Sequence, residues 1–256
     1  MNYPHLTRIL SAEFPKLKLD EDTQDLDKIG GIIIDGKLMA IEEFQGSKNL
    51  KVNGNLDLSD NVEITSLPEG LEVGGDLDLM ATRLTSLPEG LKVAGSLWLS
   101  DTPITSLPKG LRVGGDLDLE YNYITSLPEG LKVGGYLDLS NTPITSLPEG
   151  LEVGRDLWLN DTSITSLPEG LGVGGDLSLY GTKITSLPEG LKVSGSLDLR
   201  NTSITSLPEG LEVGEDLSLT FTKITSLPDD LKVGGKIYVN DPSKIQCSEE
   251  LRKKLK

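Results

Sequence analysis

The sequence contains few of the residues that most catalytic sites require. Histidine and cysteine occur once each, as His5 and Cys247. No Ser-His-Asp or Cys-His arrangement can be built on His5 alone, and Cys247 has no histidine near it in the sequence. The Cys/His spacings of a metal site and the Gly-rich lysine motif that binds phosphate are also missing. We therefore expect a protein that is not an enzyme and that holds no cofactor and no metal.

Disulfide pairs and long apolar runs are absent too. A single thiol excludes an intrachain disulfide and fits a reducing compartment. No stretch approaches the ~18 apolar residues of a membrane-spanning helix, and residues 1–20 hold no uninterrupted apolar segment of a secretory signal. We expect a cytoplasmic protein, either of a bacterium or of a host cell into which it is delivered.

Positively charged residues are fewer than negatively charged ones. Lys and Arg number 24 against 40 Asp and Glu, so the formal net charge is −16. This charge disfavours direct binding to nucleic acid or to an anionic membrane. It favours a protein partner with a basic or mixed surface, bound by a monomer of this chain.

What the sequence does contain is a repeat. The tetrapeptide TSLP occurs nine times at a constant spacing of 20 residues, from Thr65 to Thr225. A Leu-x-Leu strand core recurs with it and ends as Ile237/Val239, and an earlier copy at Leu56/Leu58 stands 21 residues before the next one. Ten such cores predict a solenoid, in which each unit buries its apolar side chains only by stacking on its neighbours.

The pattern within one unit predicts the path of the chain. Leu137 and Leu139 alternate with period two, so both face the interior of the predicted strand. Thr142 and Ile144 then point inward again. Pro148 has no N–H to donate, so the segment around it cannot lie in the middle of a sheet. A 20-residue unit is too short for a strand, two turns and a full helix, and we expect an extended, polyproline-like back.

The run LxLxxTxITSLPxxL resembles the leucine-rich repeat, and its length and Leu-Pro step are similar to the short type found in bacterial type III secreted effectors and in repeat proteins of bacteria and phages. The resemblance covers residues 51–240. It implies a mainly-β solenoid with a parallel sheet on the concave face and a role in binding proteins. The chain departs from that pattern at two positions. Thr replaces most of the family's Asn ladder, with Asn122 the exception, and Gly replaces the first Leu, as at Gly114.

The two ends do not repeat. Residues 1–50 predict a cap, with a helix suggested by the spacing of Leu6, Ile9, Leu10 and Phe14 and a hairpin within residues 31–41 that turns at Asp35 and Gly36. A small partner-recognition module is the alternative. Residues 241–256 predict a capping helix that begins after Ser248, with a basic tail for an acidic ligand as the alternative.

The repeats differ most at the outward strand positions and just after the strand. Eight of the 11 aromatic residues lie at these variable positions, and none lies at a predicted core position. In a parallel stack with ~4.8 Å between strands, Trp98 and Trp158 are three steps and about 14 Å apart. Large aromatics on a rigid solvated face are typical of interface anchors. The predicted partner-binding residues are Trp98, Asp116, Asp118, Glu120, Tyr121, Tyr123, Tyr136, Asp138, Trp158 and Tyr180.

Acidic residues share this face. Asp116, Asp118 and Glu120 lie on one side of one strand, and Asp138 is predicted beside Asp118. Because stacked like charges are destabilising, the row suggests a gain in solubility, a basic protein ligand or, less readily, a calcium ion. Two functions remain open. The first is a non-enzymatic protein-interaction module, and the second is an acidic phage or effector inhibitor that blocks a basic, nucleic-acid-binding site by charge mimicry.

Overall fold

A computed structural model describes residues 31–35 and 37–256 of the chain. Within them the predicted fold is confirmed as a mainly-β parallel solenoid with very little helix. The helix predicted around residues 6–14, together with His5 and Gly36, lies outside the described residues.

The Leu-x-Leu segments form one parallel sheet, which we call sheet 1. Its neighbouring strands pair in register at the 20-residue spacing, for example Leu117 with Leu97 and with Leu137. The only offset is between the first two strands, where the extra residue of the first coil makes the spacing 21. The ten strands are Leu56–Asp57, Leu77–Asp78, Leu97–Trp98, Leu117–Asp118, Leu137–Asp138, Leu157–Trp158, Leu177–Ser178, Leu197–Asp198, Leu217–Ser218 and Ile237–Tyr238.

The coils form a second parallel sheet, which we call sheet 2. Each strand of sheet 2 comes just before a strand of sheet 1 in the sequence, and a short bend joins the two. The sequence does not predict sheet 2, because two-residue strands contain no period-two pattern. Its valines, such as Val133, face the interior and its charged residues face outward. The ten strands are Lys51–Val52, Glu72–Val73, Lys92–Val93, Arg112–Val113, Lys132–Val133, Glu152–Val153, Gly172–Val173, Lys192–Val193, Glu212–Val213 and Lys232–Val233.

The interior is a continuous aliphatic column. The leucines of sheet 1, including Leu117 and Leu119, have no exposed surface, and Ile124 of the same coil is equally buried. The back of each coil, such as residues 122–128, contains neither helix nor strand, which agrees with the expected extended conformation. Leu-Pro steps close the column there, with Leu127 nearly buried.

The threonines at the Asn-ladder position are buried, as predicted, except for Thr222 in a late coil, which is partly buried. Each hydroxyl donates to the carbonyl three residues earlier in its own coil, for instance Thr142 Oγ1 to Leu139 O at 2.6 Å. Asn122 is different because its longer side chain reaches the preceding coil. Its Nδ2 donates to Leu99 O at 2.7 Å and to Thr102 O at 3.2 Å. Threonine thus stabilises the turn within a coil, and Asn122 alone links two coils at this position.

The described ends of the array carry short elements. Strands Gly31–Ile34 and Lys37–Ala40 pair antiparallel and lead into a helix, Ile41–Gly46, whose Phe44 is fully buried against the first coils. At the other end a 3-10 turn, Pro242–Lys244, precedes a helix, Glu249–Arg252.

The C-terminal helix is capped by Ser248, whose Oγ accepts a hydrogen bond from Leu251 N. Leu251 and Leu255 are buried against the last coil. The chain then returns along sheet 1, where Lys256 N donates to Ile237 O at 2.8 Å and Ile237 N donates to Lys254 O at 3.0 Å. Backbone groups at this edge of the sheet are therefore satisfied by the chain's own last residues.

Candidate functional site

The outward side chains of sheet 1 form a column that we call the strand face. At its centre, Trp98, Asp118, Asp138 and Trp158 occupy four successive strands, since Asp118 pairs with Trp98 and with Asp138, and Asp138 pairs with Trp158. The structure therefore places two aspartates side by side with a tryptophan on each flank. We call these four residues and Tyr136 the Trp–Asp notch.

The aromatic residues of the notch are half-buried. The Tyr136 ring stacks on the Trp158 indole, with 5.0 Å between ring centroids and 23° between ring planes. Trp98 is also partly covered, and its Nε1 is buried without a hydrogen-bond partner among the described residues. Both tryptophans of the notch therefore keep only part of their surface exposed.

The aspartates of this column also have a local role. Asp118 Oδ1 accepts the backbone N–H of Glu120 at 2.9 Å, and Asp138 Oδ1 accepts that of Ser140 at 2.8 Å. Asp57, Asp78 and Asp198 do the same two residues on. This is an Asx-type turn that follows each strand whose outward residue is aspartate. The turn is a structural reason for aspartate at this position, independent of any ligand.

Asp116 belongs to a different ladder. Its Oδ1 accepts the backbone N–H of Tyr136, one coil further on, at 2.9 Å. Asp76, Asp156, Asp176 and Asp216 make the same bond to the coil that follows each of them. Asp116 thus accepts a backbone N–H of the following coil, whereas Asp118 and Asp138 accept the backbone N–H groups of their own turns.

The electrostatics of the notch are unfavourable without a cation. Burial, followed by the Asp138 carboxylate, raises the pKa of Asp118, against the lowering effects of the Glu120 N–H and the Ser100 hydroxyl. Burial and Asp138 likewise raise the pKa of Glu120. Burial and the nearby Asp118, Asp116 and Asp138 carboxylates raise the pKa of Tyr136. No lysine or arginine of the described chain forms an ion pair with Asp118 or Asp138.

The remaining predicted site residues surround the notch at different depths. Glu120 lies at its edge, half-buried, with Oε1 accepting from Asn141 Nδ2 at 3.2 Å. Tyr121 and Tyr123 are 54% and 63% exposed on the turn that follows. Tyr180 lies away from the notch, one coil past Trp158, and its ring faces the Arg200 guanidinium at 5.5 Å. Nine of the ten predicted residues thus lie in the four successive coils that run from Trp98 to Trp158, and Tyr180 lies in the next coil.

Tyr121 occupies a strained backbone position. The residue after each outward turn is left-handed, with φ of 57° at Tyr121 and 59° at both Asn141 and Phe221. Most coils place Asn, Asp or Gly here, which tolerate this region. Tyrosine and phenylalanine do not, and both side chains are exposed, so neither is held there by burial. Strain retained at an exposed aromatic is consistent with a role in binding.

Tyr121→Asn is expected to raise the free energy of unfolding by about 1 kcal/mol, because the left-handed region costs an ordinary L-residue roughly 1–2 kcal/mol and asparagine adopts it more readily. Urea denaturation followed by circular dichroism measures the change. Tyr123→Asn is the matched control, since Tyr123 is similarly exposed but its φ is not positive. Equal changes in the two variants would show that Tyr121 is not strained.

The outward glutamates of sheet 2 are each paired with a lysine of a neighbouring coil. Glu72 lies between Lys51 and Lys92, at 2.8 and 2.7 Å, and hydrogen bonds from both lysines hold its pKa at about 2. Lys132 pairs with Glu152 at 2.6 Å. These groups are exposed, so their effect on stability is small. Sheet 2 thus has carboxylates with cationic partners, in contrast to the notch.

The in-register strands, the 20-residue period and the extended back define a parallel β-solenoid with the fold of a leucine-rich repeat. Among the described residues, no helix has the length and apolar composition needed to cross a membrane, and no cluster of three or more His, Cys, Asp or Glu could hold a metal ion.

Solved structures with a similar course include YopM, a leucine-rich effector protein from Yersinia pestis, at 15% identity and a TM-score of 0.42, covering 78% of this chain and 76% of that one. A leucine-rich-repeat protein of Leptospira interrogans is 18% identical with a TM-score of 0.29, over 80% and 85% of the chains. YopM from Yersinia enterocolitica is 20% identical with a TM-score of 0.29, over 76% and 63%. No protein-family model and no curated protein matches the sequence.

Proposed function

We propose that this chain is a non-enzymatic protein-interaction protein that binds a partner with a basic or mixed surface through the strand face. The observation that carries the proposal is the Trp–Asp notch, where half-buried aromatic rings flank two carboxylates that lack a cationic partner in the described chain. Clustered aromatics with part of their surface still available are typical of binding hot spots. Tyr121, Tyr123 and Glu120 extend the proposed surface on one side, and Tyr180 on the other.

The scaffold supports this role because it is rigid and regular. Each interior strand of sheet 1 is hydrogen-bonded to both neighbouring strands, as when Leu117 N donates to Tyr136 O and Leu97 N donates to Asp116 O. A rigid platform reduces the entropy lost on binding. The net charge of −16 attracts a basic partner during encounter. We place this interaction in the cytoplasm, which the single thiol of Cys247 favours.

Trp98→Ala and Trp158→Ala are each expected to weaken partner binding by about 2 kcal/mol, or about 30-fold in Kd. The partner is first isolated by affinity capture and mass spectrometry, and its affinity for each variant is then measured by calorimetry. Tyr238→Ala is the matched control, because Tyr238 is in the same column at the far end of sheet 1. If both tryptophan variants bind like the control, the notch is not the binding site.

The charge-mimicry alternative makes a different prediction in the same assay. An inhibitor that imitates a nucleic-acid backbone depends on many screened charges, so its binding should collapse at high salt and depend more on Asp116, Asp118 and Asp138 than on either tryptophan. The hydrogen bond between Asp116 and the Tyr136 backbone favours the interaction module, because it accounts for part of the acidic row without a ligand.

A further inference from the structure

The chain contains one internal example of an arginine bound to an aspartate of the strand-face column. In a later coil, Arg200 reaches back to Asp198, with Nε 2.9 Å from both carboxylate oxygens and Nη2 2.6 Å from Oδ2. The same guanidinium carbon lies 5.5 Å from the centroid of the Tyr180 ring, which belongs to the preceding coil. A column aspartate and a neighbouring aromatic thus bind one guanidinium group.

The notch has the same components without the arginine. Asp118 and Asp138 are in the same column as Asp198, and each keeps the Asx-type bond to the residue two positions on. The position that holds Arg200 in its coil holds Glu120 after Asp118 and Ser140 after Asp138. No internal cation can therefore be supplied from that position, and Glu120 adds another carboxylate.

The flanks of the notch are suited to a flat cation. Trp98 borders Asp118 on one side, and the stacked Tyr136–Trp158 pair borders Asp138 on the other. Indole is the aromatic group that attracts cations most strongly. A guanidinium is planar, can stack on such rings and can donate two parallel hydrogen bonds to a carboxylate, whereas an ammonium can only act as a point charge.

We propose that the Trp–Asp notch binds an arginine side chain of the partner protein, with the guanidinium on the Asp118 and Asp138 carboxylates and between the aromatic groups of Trp98 and Trp158. This rests on the proposed function and specifies its ligand. The bound cation offsets part of the negative charge of two adjacent carboxylates, where burial and the neighbouring Asp138 carboxylate already raise the pKa of Asp118. Arginine, and not a diffuse basic surface, then determines which partner is selected.

Intrinsic fluorescence can test the site directly, because Trp98 and Trp158 are the only tryptophans of the chain. The full chain is titrated with N-acetyl-arginine amide, with N-acetyl-lysine amide and with uncharged N-acetyl-citrulline amide. We expect a saturable change with the arginine compound, a weaker response with lysine and none with citrulline. A lysine response as strong as that of arginine, or a citrulline response, would overturn the proposal.

The variant Asp118→Asn/Asp138→Asn is expected to weaken the arginine response by about tenfold or more, since it removes the charge-assisted bonds. Asparagine keeps an oxygen for the Glu120 and Ser140 N–H groups, so the turns are retained. Asp57→Asn is the matched control, because Asp57 makes the same turn bond but lies two strands outside the notch. An unchanged response in the double variant would contradict the assignment.

Binding measurements with the isolated partner distinguish the arginine site from the proposed protein-interaction function of the strand face. If Trp98→Ala abolishes partner binding while Asp118→Asn/Asp138→Asn does not, the strand face binds the partner but the arginine site is overturned. If neither affects binding, the proposed function falls with it. If both abolish binding, and changing one arginine of the partner to lysine does so too, the arginine site is supported.

Discussion

Leu117→Ala is expected to lower the free energy of unfolding by roughly 3–5 kcal/mol, the largest effect of any single substitution considered for this chain. Leu117 has no exposed surface and lies between Leu97 and Leu137, which are equally buried. A coil held on both sides cannot collapse into the space that the leucine leaves. The loss therefore combines the transfer free energy of the missing groups with the energy of a cavity.

The measurement suits the architecture of the chain. Urea denaturation is followed by tryptophan fluorescence, because Trp98 and Trp158 lie within two coils of Leu117 and report on that part of the array. Each repeat contacts only its neighbours, so a central defect weakens two interfaces. Leu255→Ala, at the end of the array, is the control and is expected to cost less, because Leu255 meets only one coil. A loss below about 1 kcal/mol at Leu117 would indicate that the coils relax independently.

Excision of residues 119–138 is expected to abolish partner binding while the chain still folds. The deletion removes one 20-residue period, so Asp118 continues directly into Leu139 and the strand register is preserved. Trp158 then belongs to the strand next to Asp118. The shortened chain has lost Asp138 and Tyr136, and the two tryptophans are two steps apart and not three. The notch no longer exists, although every remaining coil keeps two neighbours or a terminal element.

The matched control is excision of residues 199–218, which also removes one period but leaves the notch intact. Both variants should retain the β-sheet signal in circular dichroism and show a similar loss of stability, since array stability is close to a sum over repeats and interfaces. Calorimetry with the partner distinguishes them. Wild-type affinity in the first variant would show that the binding surface lies elsewhere, and reduced affinity in both would point to a requirement for overall length.

The repeat made much of the fold predictable. The spacing of Leu117 and Leu137 predicted both the parallel register and the buried column, because a constant period leaves stacking in register as the way to bury every leucine. Sheet 2 could not be predicted in the same way, since strands as short as Lys132–Val133 contain no alternation. One signal was available. Glutamates stand next to lysines at the period of the repeat, as at Lys51, Glu72 and Lys92, which ion pairs between neighbouring coils explain.

The positions of the site residues could be predicted from the sequence, but the contacts between their side chains could not. Adjacent positions for Asp118 and Asp138 followed from the repeat, and the structure confirms that pairing. The hydrogen bond from the Tyr136 N–H to Asp116 and the stacking of Tyr136 on Trp158 depend on the rotamers of side chains in successive coils, which a one-dimensional pattern does not contain. The left-handed turn at Tyr121 could have been found, because Asn, Asp and Gly predominate at that position in other coils.

The sequence by itself determined which side chains share a column on the strand face, because a strict 20-residue period assigns every residue a coil and a side. The tertiary structure alone decided which members of a column are free to meet a ligand. Asp116 is bonded to the next coil and Asp198 is held by Arg200, while Asp118 and Asp138 stand between two tryptophans without a cation among the described residues. The reason is physical: coils about 5 Å apart place side chains of neighbouring repeats in contact, and those contacts distinguish residues that the repeat makes equivalent.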